Sequence, residues 1–203
     1  MLSAAAALAV TAITAQAQVY SVNVVGYVNK PLPNGAFVAV ANPLDDGTND
    51  LNSTLGSLNN KSVAQFWNGA GFDSTTKAGG SWAATSTPVG LGFFVKAAGG
   101  ATNTFVGEVV VGPGESVTNS LPGNTFVMVG SAIPWGGDYN SADLNLNLPN
   151  KSVLQKWTGS GYDSKTRSSG AWPANLGLDV AEGFFLKSAG ASPFDWVQAA
   201  PAN

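Results

Sequence analysis

The chain has 203 residues, of which 44% are hydrophobic and 10% are charged, with a formal net charge of −3. This length and apolar content are sufficient for one large or two small packed domains, and nine Lys and Arg residues give no basic surface for nucleic acid. Cysteine and histidine are both absent, which excludes disulfides, thiolate or imidazole metal sites, Cys nucleophiles and Ser-His-Asp triads.

The first segment, residues 2–17, is apolar, rich in small residues and ends in Ala15-Gln16-Ala17. This ending fits the A-x-A cleavage pattern of a secretory signal. We therefore expect cleavage before Gln18 and a secreted protein, either extracellular or at the cell surface. The segment is too short, and too interrupted by Thr and Gln, to predict a stable membrane span.

Residues 18–30 follow as a long β-prone stretch without a charged residue between Val19 and Asn29. An exposed, apolar and uncharged strand is a template for edge pairing. The strand either pairs inside its own domain or is donated to the next copy of the chain. Head-to-tail donation does not close on itself, so it would produce a filament. The predicted assembly strand contains Val19, Tyr20, Val22, Val24, Val25, Tyr27 and Val28.

The rest of the chain contains an internal duplication with an offset of about ninety residues. Four pairs of motifs recur in the same order: Asn60-Lys61-Ser62-Val63 with Asn150-Lys151-Ser152-Val153, Gly71-Phe72-Asp73-Ser74 with Gly161-Tyr162-Asp163-Ser164, Gly80-Ser81-Trp82 with Gly170-Ala171-Trp172, and Gly92-Phe93-Phe94 with Gly183-Phe184-Phe185. A period this long predicts two domains, or two halves of one, and not a solenoid. We assign module 1 to residues 31–112 and module 2 to residues 113–203, with a turn at Gly112-Pro113-Gly114-Glu115 between them.

Within each copy, short runs rich in Val and Phe alternate with clusters of Gly, Asn, Asp, Ser and Pro. Helical periodicity is weak, and residues 50–58 and 142–148 predict at most one short turn each. The pattern predicts an all-β fold of two tandem β-sandwich or small-barrel modules, preceded by an N-terminal β-strand. The strands predicted in module 1 are Phe37–Val40, Ser62–Trp67, Phe93–Lys96 and Thr104–Val111.

Two features support a resemblance to known proteins. The segment 21–28 reads Ser-Val-Asn-Val-Val-Gly-Tyr-Val, and both modules contain Trp-x-Gly-x-Gly-[Phe/Tyr]-Asp and Gly-Phe-Phe-[Val/Leu]-Lys motifs. Over most of its length the chain resembles uncharacterised secreted proteins of Verrucomicrobia and their relatives. The resemblance implies secretion and a bacterial source, and it implies no particular activity.

Repeated aromatic residues are the first candidate binding site. Exposed together, they would form a platform on which sugars stack, because aromatic faces pack against the C–H faces of pyranose rings. Alternatively, they fill the core or cap the open end of each sandwich. The candidate stacking residues are Trp67, Trp82, Trp157, Tyr162 and Trp172. The Gly71–Ser74 motif and its repeat predict a hairpin with the turn at Asp and Ser.

Two polar patterns are further candidates. Asp45, Asp46 and Asp50 gather oxygen ligands at close spacing, as a calcium loop does, although the complete EF-hand pattern is missing and an ordinary polar turn is the alternative. Three Asn-x-Ser/Thr triplets match the N-glycosylation pattern and suggest glycan attachment, although such triplets also arise by chance in a chain this rich in Asn, Ser and Thr. Their acceptor residues are Asn52, Asn60 and Asn150.

Catalytic residues are not indicated. Glycosidase chemistry needs two carboxylates across a cleft, and the three Glu residues of the chain occupy no paired or repeated context. We therefore expect no enzyme and no cofactor. The sequence predicts a structural protomer of an extracellular filament or surface assembly that polymerises head-to-tail by β-strand addition. Its expected partners are other copies of itself, and glycans are a further candidate partner. The alternative is a secreted carbohydrate-binding β-sandwich module that has glycans as its partners.

Overall fold

The computed structural model describes residues 25–142, 144–174 and 176–200. The predicted signal segment 1–17 lies outside the described residues, as do four residues of the predicted assembly strand, namely Val19, Tyr20, Val22 and Val24. In the described part of the chain, no helix is long and apolar enough to cross a membrane.

The two copies of the repeat fold along the same path. The elements of module 1 are β1 (Val25–Leu32), β2 (Phe37–Ala41), α1 (Leu51–Thr54), β3 (Val63–Trp67), β4 (Phe72–Thr76), β5 (Gly92–Lys96) and β6 (Ala101–Glu108). Those of module 2 are β7 (Ser116–Leu121), β8 (Phe126–Val129), β9 (Gly137–Asp138), β10 (Val153–Trp157), β11 (Tyr162–Thr166), β12 (Gly177–Leu178), β13 (Phe184–Lys187) and β14 (Phe194–Ala199).

Each module consists of one four-stranded antiparallel sheet and one two-stranded ribbon. The sheets have the strand orders β2-β5-β3-β4 and β8-β13-β10-β11, and the ribbons are β1–β6 and β7–β14. Module 2 has an additional short pair, β9–β12. The prediction of an all-β fold is confirmed, and the sheets form sandwich-like modules with no closed barrel among the described residues.

The strand β1 belongs to module 1 and does not precede it. Its eight residues pair antiparallel with β6, from Val25 opposite Glu108 to Leu32 opposite Ala101. The predicted boundary between residues 30 and 31 falls inside this strand. The turn predicted at Gly112 connects β6 to β7, where the Glu115 N–H donates to the Gly112 carbonyl at 3.0 Å.

A buried tryptophan lies at the centre of each module. Trp82 is 4% exposed and Trp172 is 3% exposed. The indole N–H of Trp82 donates to the Leu55 carbonyl at 3.1 Å, and that of Trp172 donates to the Leu146 carbonyl at 2.8 Å. A buried indole needs such a partner because the lost hydration of its N–H must be replaced. The cores therefore depend on loop carbonyls as well as on apolar packing.

The one helical turn predicted in residues 50–58 is confirmed as α1. Asp50 caps it, because its side chain accepts a hydrogen bond from the Ser53 N–H at 2.8 Å while the Ser53 hydroxyl accepts from the Asp50 N–H at 3.1 Å. This reciprocal capping box satisfies donors that have no partner inside the helix. The buried Leu51 of α1 then packs into the core of module 1.

The predicted hairpin exists, but its turn lies four residues earlier than expected. Asp73 and Ser74 lie within β4, and the chain reverses between Asn68 and Gly71. The Asn68 side chain accepts from the Gly71 N–H at 2.8 Å, and Gly69 has a φ of 97°. An asparagine that bonds its own backbone, followed by a glycine with positive φ, forms the turn more readily than Asp-Ser does.

Candidate binding surfaces at the module junction and at the edge of module 1

The two modules meet in an arrangement with pseudo-two-fold symmetry. The indole N–H of Trp67 in module 1 donates to the Phe126 carbonyl of module 2 at 2.9 Å. Reciprocally, the indole N–H of Trp157 donates to the Phe37 carbonyl at 2.8 Å. Because the same repeat positions exchange the same bond in both directions, the junction is an isologous interface within one chain.

Backbone hydrogen bonds repeat this symmetry. The Ala41 N–H, at the end of β2, donates to the Ala181 carbonyl at 3.2 Å. Its counterpart, the Gly130 N–H beside the end of β8, donates to the Gly90 carbonyl at 3.0 Å. The edge of each four-stranded sheet is thus joined to the other module, and the two modules are held by the main chain as well as by side chains.

The glycine of each Gly-Phe-Phe motif allows the close approach of the two backbones. A Cβ atom on Gly92 would lie 2.7 Å from the Val129 nitrogen, and one on Gly183 would lie 2.4 Å from the Val40 oxygen. Both distances are shorter than a carbon side chain tolerates. These glycines are therefore a requirement of the junction, and their recurrence in both modules follows from its symmetry.

Aromatic side chains fill the junction. Phe94 and Phe185 lie at its centre with a ring-centroid distance of 6.4 Å. Trp157 meets Phe94 edge-to-face at 5.4 Å, and Trp67 meets Phe185 at 5.4 Å. The preceding phenylalanines, such as Phe93, face the module cores instead. The Phe-Phe pairs are consecutive because β5 and β13 are buried on both faces, and successive residues of a strand point to opposite faces.

An apolar cleft of about 220 Å³ opens at one side of the junction. Phe72 and Tyr162 are partly exposed at its rim, and both rings contact Phe185. Burial raises the pKa of Tyr162. The residues around the cleft are Trp67, Phe72, Phe126, Gln155, Tyr162 and Phe185, none of which is charged.

A second groove, of about 210 Å³, lies beside Trp157 and has a different chemical character. Lys30 and Glu182 contribute to its wall together with the half-buried Trp157. The Glu182 carboxylate forms an ion pair with Lys156 at 2.9 Å and accepts from the Asp179 N–H at 2.9 Å. The groove therefore combines an aromatic side chain with two charged residues, of which Glu182 is fixed by an ion pair and a hydrogen bond.

Carboxylates near this groove also affect a buried tyrosine. Burial raises the pKa of Tyr139, and the negative charges of Glu182 and Asp179 raise it further. Its hydroxyl has no hydrogen-bond partner among the described residues. The Tyr139 hydroxyl therefore remains protonated.

The structure separates the predicted sugar-stacking residues into three environments. Trp82 and Trp172 are buried in the module cores, so the prediction that they stack on a sugar is wrong and the core interpretation applies. Trp67 and Trp157 are half-buried at the junction, and Tyr162 lies at the rim of the apolar cleft. A continuous stacking platform is not formed by these five residues.

The predicted assembly strand has an open edge. The N–H and carbonyl of Glu108 on β6 bond to Asp45 and so point away from β1. Because antiparallel ladders alternate, the backbone groups of Val25, Tyr27 and Asn29 must point away from β6. Pro31 is the next residue whose backbone faces outward, and as a proline it has no N–H to donate. Apart from the pairing with β6, the described residues contain no backbone partner for β1.

The outer face of the same ribbon is apolar. Tyr27 is 71% exposed and lies opposite the exposed Val106, with the exposed Val25 nearby. Its inner face is occupied, since Val28 packs with Leu44 and other residues beneath the ribbon. The strand thus pairs with β6 through one edge and packs on module 1 through one face. Residues 25–32 therefore pair inside their own module. Nothing in the described part of the chain pairs with the other edge of the strand or covers its outer face.

The predicted calcium ligands do not converge on one point. Asp45 and Asp46 each accept a hydrogen bond from the backbone N–H two residues further on, at 2.8 and 2.9 Å, and Asp50 caps α1. Within the described ranges, no group of three or more acidic, His or Cys side chains is arranged to hold a metal ion. The segment is the ordinary polar turn, and its carboxylates are used by its own backbone.

The three predicted glycan acceptors also have structural roles. Asn52 both accepts from and donates to the backbone of Trp82, at 2.8 and 3.2 Å, so a glycan on its amide nitrogen would break this pairing. Asn60 and Asn150 each accept through Oδ1 from a glycine N–H in their own module, at 2.9 Å. Both are exposed, and attachment at these two residues remains a prediction.

Sequence reasoning missed the charged groove beside Trp157. The available signal was a difference between aligned repeat positions, since Glu182 precedes one Gly-Phe-Phe motif where Leu91 precedes the other.

Comparisons of the chain with protein-family models, curated proteins and solved structures find no match.

Proposed function

We propose that the chain is a structural protomer of an extracellular bacterial assembly in which copies join by β-strand addition at the outer edge of β1. The observation that carries the proposal is the open, uncharged edge formed by Val25, Tyr27 and Asn29. Unpaired strand edges recruit further strands unless charge, proline or a covering segment blocks them. Among the described residues, only Lys30 and Pro31 limit the edge, at one end.

The exposed side chains beside this edge add an apolar contribution. Pairing would bring another strand against Val25 and Tyr27, and would remove part of their surface from water. Full burial of one such side chain stabilises an interface by roughly 1.5–3 kcal/mol. The low content of charge, 10% of the residues, leaves little electrostatic repulsion between copies. Backbone pairing and apolar burial therefore favour the same contact.

The partner edge determines the form of the assembly. If β1 pairs with β1 of a second copy, the contact is isologous and closes as a dimer. If β1 pairs with a different edge, such as β4 or β11, each copy keeps one open edge and the contact propagates. The proposal is the second, head-to-tail form.

The test is the substitution Asn29→Pro, with Asn29→Ala as its matched control. Both variants lose the bond that the Asn29 side chain accepts from the Thr104 hydroxyl at 2.7 Å. Only the proline removes the outward N–H, and proline is tolerated where a strand N–H faces solvent, as at Pro31. Light scattering and negative-stain microscopy should show assemblies for the wild type and Asn29→Ala, and monomers with unchanged circular dichroism for Asn29→Pro.

Two results would contradict the proposal. One is a wild-type chain that stays monomeric at all accessible concentrations. The other is a folded Asn29→Pro variant that assembles as readily as Asn29→Ala. If the wild type forms closed dimers and Asn29→Pro stays monomeric, copies do join through the edge of β1, but the head-to-tail form is excluded.

A further inference from the structure

The pseudo-symmetry of the junction provides a reference for the groove beside Trp157. The equivalent surface beside Trp67 has the same tryptophan, with the same hydrogen bond to the other module. Three neighbouring positions differ: Lys30, Lys156 and Glu182 at the Trp157 groove correspond to Asn119, Phe66 and Leu91 at the Trp67 surface. One fold thus supports a charged and a largely apolar version of the same surface.

The charged version is not required for packing. The side chains of Lys156 and Glu182 are only 23% and 12% exposed, so the pair loses much of its hydration. Replacing such a pair by apolar residues of similar size is often neutral or stabilising. The Phe66 and Leu91 of module 1 are such a replacement within the same chain. A half-buried ion pair that the fold does not need is a reason to look for a ligand.

The groove is organised before any ligand arrives. Glu182 is held by Lys156 and by the Asp179 N–H, and the Lys156 amine also donates to the Gly177 carbonyl at 2.6 Å. The bond from the Trp157 indole to the Phe37 carbonyl fixes its ring. Fixed polar groups beside an aromatic side chain lower the ordering cost of binding.

We propose that this groove binds one pyranose unit of a polysaccharide. Trp157 would pack against the C–H face of the ring, while Glu182 accepts from ring hydroxyls and Lys30 donates to them. The volume of about 210 Å³ is below the range of roughly 300–1,000 Å³ typical of sites for drug-sized ligands. A groove of this size is suited to a single sugar ring and not to a longer ligand. This binding does not use the outer edge of β1, although Lys30 belongs to that strand.

The probes are a neutral oligosaccharide, cellohexaose, and an acidic one, oligogalacturonate. Binding is measured by calorimetry and by tryptophan fluorescence, in the wild type and in Asn29→Pro, so that self-association does not contribute. We expect binding of at least one probe in both proteins. A preference for oligogalacturonate would assign the ligand as an acidic sugar recognised by Lys30, and a preference for cellohexaose would assign a neutral one.

Two variants and one matched control locate the site. Trp157→Ala should reduce affinity by about tenfold or more, and Glu182→Leu, which introduces the residue of module 1, should do the same while keeping the fold. Trp67→Ala removes the same junction bond from the symmetric position and should leave affinity unchanged.

The proposal is overturned if neither probe binds, if Glu182→Leu binds as the wild type does, or if Trp67→Ala loses as much affinity as Trp157→Ala. The last result would mean that junction integrity, and not the groove, controls binding. None of these results bears on the association of copies through β1.

Discussion

Module 1 and module 2 have the same fold but differ on their surfaces. In both, a buried tryptophan donates to a loop carbonyl and a glycine allows the junction to close. On the ribbon, however, Tyr27 and Val106 of module 1 correspond in register to Ser116 and Ala199 of module 2. The shared positions hold the fold, whereas the differing positions make this exposed pair larger and more apolar in module 1. Module 2 still exposes Val197 on its ribbon.

A second comparison shows that a shared role tolerates different residues. Lys77 and Arg167 occupy equivalent buried positions, and each donates to main-chain carbonyls: Lys77 to those of Gly56 and Leu58, and Arg167 to that of Leu148 among others. Neither has a carboxylate ion-pair partner within the described ranges. Carbonyl oxygens accept from the amine of Lys77 and from the terminal nitrogens of Arg167, while the buried Arg167 Nε has no partner among the described residues. The position therefore accepts either long donor side chain.

The largest effect is expected from breaking a feature that the modules share. Trp82→Ala or Trp172→Ala removes a fully buried indole, so each should lower the free energy of unfolding by about 3–5 kcal/mol. Denaturant titration followed by circular dichroism measures the change. Because the two residues have equivalent surroundings, the losses should be similar, and a difference of more than about twofold would contradict the equivalence of the two cores.

A smaller effect is expected from the junction glycines. Gly92→Ala and Gly183→Ala place a Cβ against the backbone of the other module, and each should cost about 1–3 kcal/mol through overpacking. Gly71→Ala is the control, because a Cβ there has no heavy atom within 4 Å and the residue does not have a positive φ. The measurement is thermal unfolding of all three variants. A loss in Gly71→Ala equal to that in Gly92→Ala would contradict the role of close approach.

The smallest effect is expected from an exposed ion pair that is present in module 2 and absent from module 1. Lys165 and Asp163 form an exposed ion pair on β11, at 2.7 Å, where module 1 has Thr75 in place of the lysine. Lys165→Thr should change the free energy of unfolding by less than about 0.5 kcal/mol, since exposed pairs are screened by solvent. Denaturant titration at low and high salt checks this. A loss above about 1 kcal/mol, or a strong salt dependence, would show that this difference between the modules also matters.

Much of the fold was predictable because its causes are local. Short runs rich in Val and Phe predicted β2, β3 and β5 to within one residue at each end. The turn before β4 was placed wrongly, since both Asn68-Gly69 and Asp73-Ser74 are turn-forming pairs and only the pairing of β4 with β3 selects between them. Local patterns identify candidate turns, whereas long-range pairing selects one of them.

The candidate sites were less predictable. Trp67, Trp82, Trp157 and Trp172 all recur in equivalent motifs, yet two lie in the module cores and two lie at the junction. Recurrence shows that a position matters to both copies, but it does not show what covers the side chain. The groove beside Trp157 depends on Glu182, which is distant in sequence from the Lys30 that faces the same space.

The amino-acid sequence alone establishes the all-β class, the duplication and the exclusion of cysteine and histidine chemistry. Composition, internal repeats and short-range periodicity are sufficient for these three conclusions. The tertiary structure decided which strand pairs with β1, which aromatic side chains meet between the modules and where charges gather beside Trp157. These outcomes depend on contacts between segments far apart in the chain, and the free energy of such contacts depends on packing and pairing that no single segment contains.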